Sequence, residues 1–277
     1  MLDKFLIDKH VTAALEEDIG FCDITTDSIA KPNDVLTAKL NTRTEGILCG
    51  TGVFERVFKI LADDVEINFY YKDGDKIKAG DTIATIKGSA SAILKGERTA
   101  LNYIQRMSGI ATETSKYQDA IGNNKARISD TRKTTPNFRI FEKYSVLVGG
   151  ACVHRFNLAD CAMIKDNHIK LAGSLTKAVN DVRKNISHTH KIEVECDTLE
   201  QVKEAIECNV DIIMLDNMSC EDMKKAVEII AGRAIIEASG NVNLNTVAKI
   251  AKSGVDIISS SAIVAKAPTL DLALDID

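Results

Sequence analysis

The densest run of reactive side chains is DTRKTTPNFR at 130–139, which sets Arg132, Lys133 and Arg139 around Thr134, Thr135 and Pro136. His154-Arg155 follows, then Lys165-Asp166-Asn167-His168. Such a cluster suits a small anion bearing several carboxylates or phosphates, because arginine offers planar, bidentate contacts and lysine a compact charge. A solvated basic surface or a core-facing ion pair would use the same residue types. Lys165 directly follows the apolar run CAMI at 161–164, which argues against a simple surface. Glu195 and Asp216 each close an apolar run. Carboxylates so placed can hold Mg2+, bind sugar hydroxyls, stabilise positive charge at a reacting carbon, or pair with Lys165. Ser239-Gly240-Asn241 and Ser259-Ser260-Ser261 are small-residue turns whose backbone N–H groups suit phosphate, although small residues also make ordinary turns.

These groups need a scaffold that gathers strand ends. From residue 126 the chain alternates apolar runs with helical periodicity. Strand candidates are 126–129, 144–148, 161–164, 191–195, 211–215, 234–238 and 255–259. Helical segments are 174–186, 198–208, 220–230 and 243–252, with Asp197/Glu200 and Ser219/Asp222 as capping pairs. Repeated βα units imply a parallel sheet, either a barrel or a doubly wound sheet. Lys165, Glu195, Asp216 and Glu237 sit at the ends of successive strands, about one βα unit apart. In a barrel such residues face the active-site mouth. The strand candidates fall short of the usual number, so the expected barrel is incomplete. No glycine-rich dinucleotide fingerprint follows any strand.

The first hundred residues read differently. Phe5, Leu6, Val11, Ala14 and Leu15 suit a helix over 1–18. Residues 35–41, 65–71 and 82–87 read as strands, with turns at Gly74 and Gly80. A helical zone over 91–121 carries Leu94, Leu101, Ile104 and Met107 on one stripe, with a break expected at Ser108-Gly109. The expected domains are 1–108 and 109–277, with the last residues packing back on the first.

Composition narrows the function classes. The 277 residues are 45% hydrophobic and carry a formal charge of −5. An acidic chain of this kind is a poor general binder of nucleic acid or membrane surfaces. No apolar run reaches membrane-spanning length, and the start lacks the order of a signal peptide, so a cytoplasmic location is expected. The seven cysteines form no CxxC pair and are odd in number. They read as small buried hydrophobes of a reducing compartment. His188 and His190 lie in a polar stretch and read as surface residues. On the residues alone, a barrel aldolase using Lys165 as a Schiff-base lysine and a non-catalytic small-molecule sensor both stay open.

Longer motifs carry a resemblance. DITT at 23–26, ERTALNYIQRMSGIAT at 97–112, DTRKTTP at 130–136, GGACVHR at 149–155, IKDNH at 164–168, EVE at 193–195, LDNM at 215–218 and EASGN at 237–241 closely resemble the quinolinate phosphoribosyltransferase family. The likeness runs over nearly the whole chain. It implies an N-terminal α/β sandwich plus an incomplete, six- or seven-stranded α/β barrel of the type II phosphoribosyltransferase kind. It implies conversion of quinolinate and phosphoribosyl pyrophosphate, with Mg2+, to nicotinate mononucleotide, CO2 and pyrophosphate in de novo NAD biosynthesis. It further implies a homodimer with shared sites, able to assemble into a hexamer. By motif match Arg98 reaches into the partner's site, and Arg132, Lys133, His154, Arg155 and Lys165 line the bowl around substrate carboxylates or phosphates. Lys133, Lys165, Glu195 and Asp216 are the implied catalytic set, with Glu195 and Asp216 near the ribose and metal. Ser239, Gly240, Ser260 and Ser261 are implied to hold phosphate. The chain departs from the pattern where Ala151, Asn157, Asn241 and Ser261 replace usual glycines, and where Val264-Ala265 follows the last turn. Asparagine is the residue best able to take a left-handed glycine's place.

Overall fold

The computed structural model of the chain describes residues 2–276. The chain folds as two units: residues up to Ser115 with Ile140–Gly150 and everything from Ala267, then Lys116–Arg139 with Ala151–Lys266.

In the first unit, Asp3 caps α1 (Lys4–Ile19), which buries Ile7, Val11 and Leu15 along one stripe. Asp23 caps α2 (Ile24–Ile29) by accepting from the N–H groups of Thr25 and Thr26. The alternating runs become β1 (Val35–Thr42), β2 (Gly46–Ile47), α3 (Thr51–Leu61), β3 (Glu66–Phe69), β4 (Lys76–Ile77) and β5 (Thr82–Ser89). Burial of Val53, Phe54, Val57 and Phe58 gives α3 its inward face, and Phe54 meets Phe69 of β3 edge-on.

The long helix α4 (Ala90–Ile121) runs 32 residues without interruption. The break expected at Ser108-Gly109 is absent. Both residues are contact points instead. Ser108 Oγ accepts from the N–H of Cys49 at 2.9 Å and donates to its carbonyl at 3.1 Å. A Cβ on Gly109 would stand 1.9 Å from the carbonyl oxygen of Pro268. The glycine is there for close backbone approach, not for flexibility.

The remaining elements are β6 (Arg127–Ser129), α5 (Arg139–Val148), β7 (Ala162–Ile164), α6 (Asp166–Ala172) and α7 (Leu175–Asn185). Then come β8 (Ile192–Cys196), α8 (Leu199–Glu207), β9 (Ile212–Asp216), α9 (Cys220–Ile230), β10 (Ile235–Ser239) and α10 (Val247–Ala251). The chain closes with β11 (Ile257–Ser259), α11 (Ala262–Ala265) and β12 (Leu272–Ile276). The last strand pairs antiparallel with β1, completing a four-stranded sheet in the order β12-β1-β5-β3. The 144–148 run is helical, not a strand. Phe141, Ser145 and Val146 bury at helical spacing, and a five-residue apolar run is too short to show its period.

The second unit is a parallel six-stranded sheet ordered β6-β11-β10-β9-β8-β7. Cys152 adds an isolated parallel bridge to Ser129 beyond β6. Ser219 caps α9 as the sequence suggests, while α8 is capped one residue later than expected, by a Thr198/Gln201 box. All seven cysteines are free, with Cys49, Cys196 and Cys208 buried and Cys22 exposed. His188 and His190 are exposed. Among the described residues no helix is long and apolar enough to cross a membrane.

Candidate active site

Side chains alternate across a strand, so every second residue of the parallel sheet faces the interior. The C-terminal strand ends enclose a cavity of about 440 Å³. Its wall is sorted by charge. Arg132 and Lys133 follow β6, His154 and Arg155 follow the Cys152 bridge, and Lys165 follows β7. The guanidinium of Arg155 donates to the carbonyl of Cys161 at 2.7 Å and lies 3.6 Å from Met163 Sδ, so the cationic arc continues on to β7. Next come the acids, Glu195 on β8 and Asp216 on β9. Ser239 on β10 and Ser259 on β11 supply hydroxyls and complete the ring.

Local bonds set these groups in place. Lys165 and Glu195 form an ion pair where the cationic and acidic arcs meet. Arg139 ties two loops together: its Nε donates to Thr134 Oγ1 at 2.9 Å and its guanidinium to the carbonyl of Phe156 at 2.8 Å. Asp130, fully buried, accepts from the N–H of His154 at 2.7 Å. Asn217, in the left-handed region at φ 54°, donates its amide to Asp216 Oδ2 at 2.7 Å. Its Oδ1 accepts from Asn241 Nδ2 at 3.0 Å, which joins the Asp216 carboxylate to the turn after β10. Gly240 has φ 91°, and a Cβ there would lie 2.2 Å from Asn217 Oδ1. Arg132 Nε and Ser259 Oγ are buried without a hydrogen-bond partner among the described residues. Unpaired polar atoms in a cavity wall point to a ligand.

The cavity thus gathers Arg132, Lys133, His154, Arg155, Lys165, Glu195, Asp216 and Ser239. Gly240 lies in the adjoining turn. Ser260 is buried, and its Oγ donates to the carbonyl of Val242 at 3.2 Å, so the hydroxyl serves the turn. Ser261 begins the four-residue α11 without capping it through its side chain. Arg98 is exposed on α4, in the first unit.

Sequence reasoning named His154 and Glu237 for this cavity but missed Glu193, the third member of its floor. His154 Nε2 lies 3.5 Å from Glu193 Oε2 and 3.5 Å from Glu237 Oε1. Glu193 stands two positions before Glu195, on the same strand face, and that period-two relation was the available signal. Burial lowers the imidazole pKa, but the nearby carboxylates of Glu193 and Glu237 outweigh it, so the value is raised. A contact opposes the rise: Nδ1 accepts from the N–H of Arg155 at 2.7 Å, which favours a bare Nδ1. Nε2 carries a hydrogen in either state. Glu193 is also raised, chiefly by burial.

Models of the quinolinate phosphoribosyl transferase N-terminal and C-terminal domains match residues 23–108 and 110–275. The chain belongs to the quinolinate phosphoribosyltransferase family. It is 43% identical over 274 residues to a probable nicotinate-nucleotide pyrophosphorylase [carboxylating] of Synechocystis, covering 98% of this chain and 92% of that one. It is 38% identical to the Bacillus subtilis protein of the same description, covering 94% and 90%. The crystal structure of NadC from Streptococcus pyogenes superimposes with a TM-score of 0.97 at 41% identity, over 100% of this chain and 98% of that one. Against the quinolinate phosphoribosyltransferase pattern, Asn241 adopts φ 52° and so takes the left-handed conformation of the glycine it replaces. Asn157 does not adopt positive φ; its Oδ1 accepts from the N–H of Ala159 at 2.7 Å. Ser261 has φ −73°, which any residue can adopt.

Proposed function

We propose that the chain transfers phosphoribosyl from phosphoribosyl pyrophosphate to quinolinate, with decarboxylation, to give nicotinate mononucleotide for NAD synthesis. The observation that carries this reading is the sorted wall, in which a cationic arc meets an acidic arc and small hydroxyl residues follow. The cationic arc is suited to the diacid: Arg132, Lys133, His154, Arg155 and Lys165 orient quinolinate so that its ring nitrogen points at C1 of the ribose. Glu195 and Asp216 face the sugar and stabilise positive charge at C1 as pyrophosphate departs. Ser239 and the Gly240 turn take the 5′-phosphate, with Ser260 and Ser261 shaping the neighbouring turn. Nitrogen forms the new bond to C1 as the C1–pyrophosphate bond breaks. The adjacent ring carbon then loses CO2, the electron pair stays on that carbon beside the cationic nitrogen, and a proton replaces the carboxylate. The protein supplies no nucleophile; orientation and charge do the work. The ammonium of Lys165 is engaged by Glu195, which does not favour a Schiff base.

Glu195 and Asp216 are hard oxygen donors on adjacent strands at the wall of the cavity, a set that fits Mg2+ completed by water and phosphate oxygens. Held by Glu195 and Asp216, such an ion would supply neutralising charge for pyrophosphate. Mixing the protein with quinolinate, phosphoribosyl pyrophosphate and Mg2+ is expected to yield nicotinate mononucleotide and pyrophosphate, and chelation with EDTA to reduce turnover to background until Mg2+ is restored. No product from quinolinate alongside ready use of nicotinate would refute the substrate assignment.

Arg98 is proposed to complete the bowl of a second copy in a homodimer. Arg98→Ala and Lys165→Ala chains, each nearly inactive alone, are then expected to regain activity on mixing, because hybrid dimers hold one intact site. No recovery in verified hybrids places Arg98 outside the partner's bowl.

A further inference from the structure

Beneath the bowl the barrel holds a second cavity of about 580 Å³, lined by residues from the N-terminal strand ends such as Arg127, Ile212, Ile235 and Ile257. The upper and lower cavities share His154, Arg155 and Glu237. At that level the imidazole of His154 and the carboxylates of Glu193 and Glu237 converge, with ligating atoms all within 4.8 Å of one another. Glu193 is fully buried, and neither of its oxygens meets hydrogen-bond geometry with a donor among the described residues. The same holds for Glu237 Oε1. Buried carboxylates demand a positive or hydrogen-bearing partner, since taking each ion from water costs several kcal/mol (roughly).

That partner is a metal ion or a proton, and the other face of the ring discriminates. His154 Nδ1 accepts from the N–H of Arg155 at 2.7 Å. A ring nitrogen that accepts is bare, so the imidazole hydrogen sits on Nε2, the atom turned toward both carboxylates. An Nε2 that carries hydrogen has no lone pair for a metal. A ligating histidine would instead donate from its other nitrogen. The remaining constraint comes from the residue after β6, Asp130, which accepts from the N–H of His154 at 2.7 Å.

We propose that Glu193 and Glu237 are positioning residues: they hold the Nε2 hydrogen of His154 and so fix the imidazole in the wall of the substrate bowl. This rests on the reading of the bowl as a quinolinate site. The ring is held at the backbone by Asp130, at Nδ1 by the N–H of Arg155, and at Nε2 by the carboxylate pair. The guanidinium of Arg155, anchored on the Cys161 carbonyl, is the other charge beside it. Loss of the pair frees the ring to turn out of the diacid's reach, while the phosphoribosyl pyrophosphate side is untouched.

The test compares Glu193→Leu with Glu237→Leu, singly and together, against the corresponding pair of glutamine substitutions. Leucine removes charge and acceptor, whereas glutamine keeps an acceptor. With both carboxylates gone, the imidazole hydrogen on Nε2 leaves His154 neutral and no unpaired buried charge remains, so folding is expected. The double leucine variant is expected to raise the KM for quinolinate about tenfold or more, about 1.4 kcal/mol, with the KM for phosphoribosyl pyrophosphate within about twofold. The glutamine pair recovers most of the loss. In 15N NMR the wild-type His154 shows hydrogen on Nε2, and the double leucine variant loses that fixed signature. A folded double variant with an unchanged quinolinate KM, or with the wild-type 15N pattern, overturns the proposal. So does one equivalent of metal bound through Nε2 in the purified wild-type protein. If the double leucine chain does not fold, the single leucine variants carry the same two readouts. Wild-type protein that fails to turn over quinolinate defeats the functional reading alone, because the 15N signature still decides the positioning.

Discussion

Lys165→Ala lowers kcat/KM for quinolinate by roughly two to three orders of magnitude, the effect of removing one preorganised charge from a reacting site. Lys165 stands where the cationic and acidic arcs meet, at the end of β7 and paired with Glu195 on β8. On the proposed reading, its removal takes a cation from the side that receives the diacid. It also leaves Glu195 without its counter-charge, so a carboxylate then faces an incoming dianion. Both consequences oppose binding, and the second also disturbs the group placed to stabilise C1. Lys165→Arg retains the charge on a wider, planar head and is expected to recover only part of the rate. Steady-state kinetics on protein of unchanged circular dichroism checks this. A folded alanine variant within fivefold of wild type removes Lys165 from the reacting site.

Gly109→Ala destabilises the protein by about 3 kcal/mol or more, the upper range for overpacking a tight contact. Helix propensity alone predicts the opposite sign, because alanine in a helix interior is favoured over glycine by about 1 kcal/mol. Geometry decides. The new Cβ would lie 1.9 Å from the Pro268 carbonyl oxygen and 3.1 Å from the Thr269 Cα, and backbone cannot swing aside as a side chain can. The nearby bond from the N–H of Leu270 to the Gln105 carbonyl, 3.0 Å, keeps that segment against α4 just before β12. Relief of the clash therefore pulls on the strand that pairs with β1. Urea denaturation measures the effect, and a Gly109→Ala protein at least as stable as wild type excludes the close approach.

The barrel was legible because its signals are local. Apolar runs of strand length, capped helices between them and a polar residue at each strand end point to parallel βα units, and Lys165, Glu195 and Asp216 do line one cavity. The errors fall where local signals conflict with distant partners. Ser108-Gly109 looks like a break because small residues disrupt helices in isolation, yet Cys49 and Pro268 use that smallness for packing. The run 144–148 looks like a strand because its few residues show no period, and it belongs to a helix whose buried side chains include Phe141.

The sequence by itself determined which groups are present: a run of cations, carboxylates at strand ends, small-residue turns, and the order of elements that carries them. Residue type and chain spacing suffice for that, because they set charge, hydrogen-bonding capacity and local periodicity. Only the tertiary structure decided the sequence around the ring, where β7 follows the loops beyond β6 and so brings the cations into one arc. It alone turned Glu193 and Glu237 inward onto His154, since which face of a strand is interior depends on register against neighbours far away in the chain.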